Sequence, residues 1–255
     1  MRGRGLLLLL CLTGCGGGGD SSDPGASSVV AARATLTTSA NPAVTLQWAP
    51  PLDISVQRLV EYQLFRNGNR IGATNKNTGS FLDTQAEGSF SYQEASGTNL
   101  LQRTGSHSPL RPGEMQRYQV RVVFQRIEAT GETTYAESIL NTPGVATTPL
   151  RRPSLTQVTP QAVEALVRFS KLDGADQYQV ELSVFSDFHT KIVRGPLQTT
   201  GSEGLVTIPW PTDSVPGNTV HARIGARSTR DANPPLTTDS NGDDYIYSTA
   251  QTVTR

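Results

Sequence analysis

The sequence predicts an all-β protein of two tandem sandwiches, and three observations carry that reading. From Val29 onward apolar residues recur with period two, while no helical period competes. The candidate strands are short and are separated by Gly, Pro and Asn. The second half of the chain also echoes the first, which two copies of one module explain most economically.

The chain opens with Arg2 and Arg4, an apolar run from Leu6 to Leu12, and then Thr13-Gly14-Cys15. A basic start, a short apolar core and small residues ahead of a cut site make a secretory signal. The run is far shorter than the roughly 20 apolar residues that span a bilayer as a helix. Leu12-Thr13-Gly14-Cys15 resembles the lipobox of bacterial lipoproteins, in which the signal is removed before the cysteine. In that family the thiol receives a diacylglycerol and the new amino terminus is usually acylated, palmitate being the typical chain. The resemblance implies a signal peptide over 1–14 and a lipidated Cys15. Cys11, preceded by three leucines, is the weaker candidate, and an ordinary signal peptide with an incidental Cys15 is the plain alternative. Acyl chains contribute about 0.8 kcal/mol per buried methylene, so two or three anchor firmly where one does not. Gly16 to Ser28, with four consecutive glycines and then Asp, Ser and Pro, reads as a flexible tether completing 15–28. As a Gly-rich coil it has a root-mean-square reach of about 20 Å.

Charge and cysteine usage narrow the function classes. The chain carries 22 basic and 22 acidic side chains. Loss of Arg2 and Arg4 with the signal leaves 22 − 2 = 20 basic ones, a weakly acidic mature protein. That argues against nucleic-acid binding, which needs a positive field. Of the 2 cysteines only Cys15 would survive processing, so no intramolecular disulfide is expected and packing alone must hold the fold.

Val44, Leu46 and Trp48 alternate with Thr45 and Gln47; Tyr118, Val120, Val122 and Phe124 alternate with Gln119, Arg121 and Gln125. The second half repeats this with Val163, Ala165, Val167 and Phe169, with Tyr178 to Val184, with Val206, Ile208 and Trp210, and with Val220 to Ala226. These read as half-buried antiparallel strands. Trp48 and then Tyr62-Gln63-Leu64 match Phe169 and then Tyr178-Gln179-Val180, and Pro112-Gly113 matches Pro216-Gly217 ahead of the next long strand. Thr147 to Pro153 is the natural boundary, giving modules over 29–148 and 149–255 of roughly a hundred residues each, the usual size of a seven-stranded sandwich.

These residues resemble fibronectin type III modules, which are immunoglobulin-like β-sandwiches. That family places Trp at the end of its second strand, Tyr-x-Val on its third, and Leu-x-Pro-Gly-x-x-Tyr-x-Val-x-Val into its sixth. Trp48, Tyr62-Gln63-Leu64 and Leu110-Arg111-Pro112-Gly113 leading to Tyr118-Gln119-Val120-Arg121-Val122 match. Phe65-Arg66-Asn67-Gly68 followed by Phe81-Leu82-Asp83 resembles the turn and aromatic-x-Asp strand common in bacterial members. There are departures: two extra residues separate Gly113 from Tyr118, and in the second copy Phe169 and Val220 stand at the Trp and Tyr positions. That copy is similar to the lineage carrying Asp-Gly-Ala-Asp-x-Tyr-x-Val and a later Ser-Asp-Phe, here Asp173 to Val180 and Ser186 to Phe188. The resemblance implies two tandem seven-stranded sandwiches.

Catalytic constellations are sparse. His107, His189 and His221 are scattered without a neighbouring ligand at metal spacing, and no Gly-x-Ser-x-Gly elbow or phosphate loop occurs. Neither a catalytic site nor a cofactor is expected. Asp239, Asn241 and Asp243 surround Gly242 and resemble a calcium loop, but the EF-hand's closing glutamate is missing, so a polar turn is the stronger reading. Trp210 reads as the last inward residue of its strand, with an exposed glycan-stacking ring as the alternative. Two long connections are candidate interaction loops: 85–109, carrying Gln85, Tyr92, Asn99 and His107, and 228–244, carrying Arg230, Asn233 and Asp239. Strand reversal sends both toward the junction between modules.

The expectation is a lipid-anchored protein of the bacterial cell envelope, with the outer membrane or surface favoured over the inner membrane. Gly16 merely lacks the aspartate that retains some proteins on the inner membrane in enteric bacteria, and does not by itself decide the leaflet. It would be non-catalytic, binding another envelope protein or acting as a spacer. A glycan-binding accessory of a surface hydrolase system is the rival; a hydrolase built on distant carboxylates is a weaker third.

Overall fold

The computed structural model describes residues 30–51, 54–55, 57–198, 201–231 and 245–255. They contain strands, turns and bends and no helix, so the chain is all-β. The first ten strands are β1 (Val30–Leu36), β2 (Pro42–Trp48), β3 (Leu59–Arg66), β4 (Asn69–Asn75), β5 (Ser80–Asp83), β6 (Gly88–Ser96), β7 (Asn99–His107), β8 (Gln116–Ile127), β9 (Thr133–Ile139) and β10 (Val145–Thr147). The remainder are β11 (Leu155–Pro160), β12 (Glu164–Ser170), β13 (Gln177–Ser183), β14 (Ile192–Leu197), β15 (Glu203–Pro209), β16 (Thr219–Arg227), β17 (Ile246–Tyr247) and β18 (Gln251–Thr254). The same pattern of sheets occurs twice, a three-stranded sheet and a five-stranded one: β1-β2-β5 with β10-β8-β3-β4 plus β9, then β11-β12-β15 with β14-β13-β16-β17 plus β18. All pairings are antiparallel.

The inward residues of each sheet pair meet in their own hydrophobic cluster. Trp48, Tyr62 and Val120 belong to one cluster, where the Trp48 and Tyr62 rings meet edge to face at 5.3 Å. Phe169, Tyr178 and Ile224 belong to the other, with Phe169 and Tyr178 5.0 Å apart. Strand β1 serves both: Ala32 lies in the first cluster, while Ala34 lies in the second and Leu36 packs against it. Trp210 is buried, and its indole Nε1 donates to the Gln161 carbonyl at 2.8 Å, so the strand's last inward residue closes the core. Val163 differs from the alternation expected of it, being 75% exposed. It sits in a tight turn closed by Gln161 N–H to Glu164 O, and the strand starts at Glu164.

In each half the last strand is split, and a polar side chain bridges the gap. Strand β8 takes β10 against Gln116 to Tyr118 and β9 against Arg121 to Ile127. Between them Asn141 Oδ1 accepts from Val120 N–H and its Nδ2 donates to Tyr118 O. Strand β16 takes β18 and β17 in the same way, and Ser248 Oγ accepts from Ile224 N–H while Ser248 N–H donates to Ile224 O. Both devices satisfy backbone groups that the chain break would leave unpaired inside the protein.

The segment 85–109 differs from the long loop expected of it. Most of it is the β6–β7 hairpin, and the polar residues that suggested a loop are the alternate positions of two strands. Its base joins the end of β3 through Ser108, whose carbonyl accepts from Arg66. Its tip reaches the far end of the same sheet, where Tyr135 N–H donates to Gly97 O at 2.7 Å. An isolated two-stranded hairpin is marginal in water, so these contacts hold it.

Trp48→Ala should cost about 3 to 5 kcal/mol, as loss of a large packed aromatic does. Hydrogen exchange should show β2, β3 and β8 losing protection while β12, β13 and β16 keep theirs. Uniform loss across both groups would show a single cooperative core.

Candidate functional site

The turn Phe65-Arg66-Asn67-Gly68 and the strand Phe81-Leu82-Asp83, separate in the sequence, are joined by a buried ion pair. Arg66 Nη1 lies 2.8 Å from Asp83 Oδ2, with the side chains 6% and 1% exposed. The Tyr118 hydroxyl donates to the same oxygen at 2.7 Å. Burial, then the neighbouring Asp83 charge, pushes the Tyr118 phenol upward, so it stays a donor. This group ties β3, β5 and β8, hence both sheets, and its bond to Ser108 adds the hairpin base. The tyrosine displaced by the two extra residues after Gly113 thus spends its hydroxyl on a carboxylate.

The outer face of the first five-stranded sheet carries a stack of cations and rings. Arg121 lies over Phe65 at 4.1 Å, Arg70 lies 5.1 Å from the same ring, and Arg70 also lies 3.7 Å from the centre of Tyr92 on the hairpin. Beneath the hairpin, Glu61 Oε1 accepts from Gln93 N–H at 2.7 Å and from Gln63 Nε2 at 2.9 Å, while Gln63 Nε2 also donates to Gln93 O. Burial raises the Glu61 carboxyl above the usual range, opposed by these hydrogen bonds and by Arg70. The second half has a counterpart: Glu181, fully buried, pairs with Arg223 and Lys191 at 2.7 Å each and accepts from the Tyr247 hydroxyl at 2.9 Å. Arg223 is held between Phe188 and Tyr247, at 4.1 and 3.9 Å. The Ser186 to Phe188 motif therefore supplies a ring to this stack, with Phe188 at φ 57°.

Tyr92, Phe90 and His107 form a row of rings along the hairpin, with centres 6.0 and 6.3 Å apart. Two glycines make room for it. A Cβ on Gly105 would lie 2.6 Å from Phe90, and one on Gly88 would lie 2.8 Å from His107, so each ring covers the glycine opposite it. Beside the hairpin base a cavity of about 380 Å³ opens between the β3–β4 turn, Ser106 to Pro109 and the Arg111 to Gln116 turn.

Of the predicted interaction residues, Tyr92 and His107 stand in this row, Asn99 is exposed at the hairpin tip, and Gln85 is half-buried ahead of the hairpin. Arg230 is exposed and adjoins the junction, where the neighbouring Asp231 accepts from the Thr147 and Thr148 hydroxyls at 3.1 and 2.8 Å. Burial raises the Asp231 carboxyl. Asn233, Asp239, Asn241 and Asp243 lie outside the described residues, as does Cys15. The hairpin runs from the junction toward the opposite pole, because it lies back across the sheet rather than projecting beyond it. At the junction the turn glycines Gly113 and Gly174 meet: Gly113 N–H donates to Pro149 O at 2.8 Å, and a Cβ on Gly174 would lie 2.5 Å from Gly113 O. Both have φ near +82°, which excludes most other residues as well. Sequence reasoning passed over Glu61, Arg70, Glu181 and Arg223 because charges at outward strand positions read as solvated. For the second pair the signal was register, with Glu181 directly opposite Arg223.

No family model matches the chain, and no curated protein matches it. Among the described residues no group of three or more His, Cys, Asp or Glu side chains could hold a metal ion, and no helix is long and apolar enough to cross a membrane.

Asp83→Ala leaves the Arg66 guanidinium buried without its counter-charge and should cost about 3 to 5 kcal/mol in chemical denaturation. A loss below about 1 kcal/mol would mean that solvent reaches Arg66 readily. Glu61 gives a pH signature. Its folded carboxyl binds a proton more tightly than the unfolded one, so its contribution to stability falls as pH rises from the ordinary glutamate value through the raised one. Glu61→Gln keeps the acceptor for Gln93 N–H and does not ionise. Its stability relative to wild type should therefore climb across that window and then level off; a difference that falls with pH would make Arg70 the dominant influence.

Proposed function

We propose that this chain is a lipid-anchored protein of the bacterial cell envelope, held on the outer membrane or cell surface. In this reading two fibronectin type III-like sandwiches, over 29–148 and 149–255, stand on a tether over 15–28 and act as a non-catalytic protein-binding or spacer module. The observation that carries it is Leu12-Thr13-Gly14-Cys15 behind a basic start and a short leucine run. The twice-repeated pair of a three-stranded and a five-stranded sheet supports the tandem. The close glycine contact and the Asp231 bonds to Thr147 and Thr148 suit a spacer, because they restrict bending at the boundary.

Glycan recognition is a second reading, favoured by one feature. The Tyr92, Phe90 and His107 rings lie in a row beside a cavity with polar walls, which suits stacking against sugar rings.

Cys15→Ser should move the mature chain from the membrane fraction to the soluble one or leave uncleaved precursor. Mass spectrometry of the wild-type protein should find a diacylglyceryl group on Cys15. A mature protein carrying an unmodified Cys15 thiol would end the anchored reading.

A further inference from the structure

The cavity at the hairpin base has a rigid frame and an exposed cation. Its frame comes from Arg66, buried and pinned to Asp83 and Ser108, and from Asn67, whose Nδ2 donates to Gln116 Oε1 at 2.6 Å and whose Oδ1 accepts from Arg117 N–H at 2.9 Å. The three wall segments are thus cross-linked before any ligand arrives, which lowers the ordering cost of binding. With Arg66 paired to Asp83, and Arg70 facing Glu61 and stacked on Tyr92, the exposed cation in the walls is Arg111, beside the carboxylate Glu114. Arg111 and Glu114 are 78% and 59% exposed and 3.7 Å apart. A pair so exposed and so long is held weakly enough to exchange partners.

The size and chemistry of the walls define an occupant. A volume of about 380 Å³ lies at the small end of ligand sites, enough for one or two sugar rings. Asn69, Ser106 and Glu114 offer donors and acceptors to hydroxyl groups, and the ring row starts at the rim with His107. An apolar ligand would find too little apolar wall, and a bare anion would leave the amides and rings unused.

We propose that this cavity binds an acidic sugar residue of the uronate class, its carboxylate on Arg111, its hydroxyls on Asn69, Ser106 and Glu114, and the following sugar on His107 and Phe90. The proposal rests on the glycan-binding reading and is independent of the lipid anchor.

The test is calorimetric titration of the detergent-solubilised full chain with trigalacturonate, with cellotriose as the neutral sugar, and with inorganic phosphate. Trigalacturonate should bind and cellotriose should bind at least about tenfold more weakly, the loss expected when one charge-assisted contact is missing. Arg111→Gln, an exposed substitution that spares the frame, should weaken trigalacturonate by about tenfold or more. Equal binding of cellotriose, unmoved by Arg111→Gln, would overturn the uronate site while leaving glycan recognition standing. Phosphate binding as tightly as trigalacturonate would make this a free-anion site and overturn the sugar assignment. Absence of binding to either saccharide would overturn both the site and the glycan reading.

Discussion

The first half of this protein depends on one buried ion pair. Arg66 and Asp83 come from opposite sheets, and with the Tyr118 hydroxyl they close a polar group inside an otherwise apolar interior. Such a pair contributes little net stability over a well-packed apolar equivalent, because desolvating two charges offsets much of their attraction. Its value lies in geometry. A guanidinium presents donors in a fixed fork, and here Asp83 of β5 and the Ser108 carbonyl at the hairpin base take them, so one side chain joins both sheets and the hairpin.

The outer sheet faces apply the same chemistry less deeply. Arg70 and Arg121 stack on Phe65 and Tyr92 in the first half, and Arg223 stacks on Phe188 and Tyr247 in the second. A planar guanidinium covers a ring while keeping hydrogen bonds at its edges, so polar strand positions can be roofed over without an apolar layer. In the first half the roof is a hairpin held by Glu61, Gln63 and Tyr135.

Much of the core was legible from alternation. Trp48, Tyr62, Val120, Phe169, Tyr178 and Ile224 are inward residues of period-two strands, and each lies in the cluster its own strands enclose. Trp210 followed from the same rule. Val163 did not, because alternation carries no information on where a strand begins, and a turn bond to Glu164 takes that residue out of the sheet. The hairpin was missed for a related reason: with strands of Ser, Thr, Gln and Gly and rings at alternate positions, its composition resembles that of a loop.

What the sequence determined by itself is the all-β class, the repeated strand pattern and the inward rings Trp48, Tyr62, Tyr118, Phe169, Tyr178 and Trp210, since each follows from local periodicity and side-chain size. Tertiary structure alone decided which charged residues matter. Glu61, Arg70, Glu181 and Arg223 occupy outward positions that local pattern assigns to water. Glu61 and Arg70 become structured only when a hairpin folds back over them, and Glu181 and Arg223 only when cross-strand register sets them side by side; both depend on contacts between residues distant in the chain.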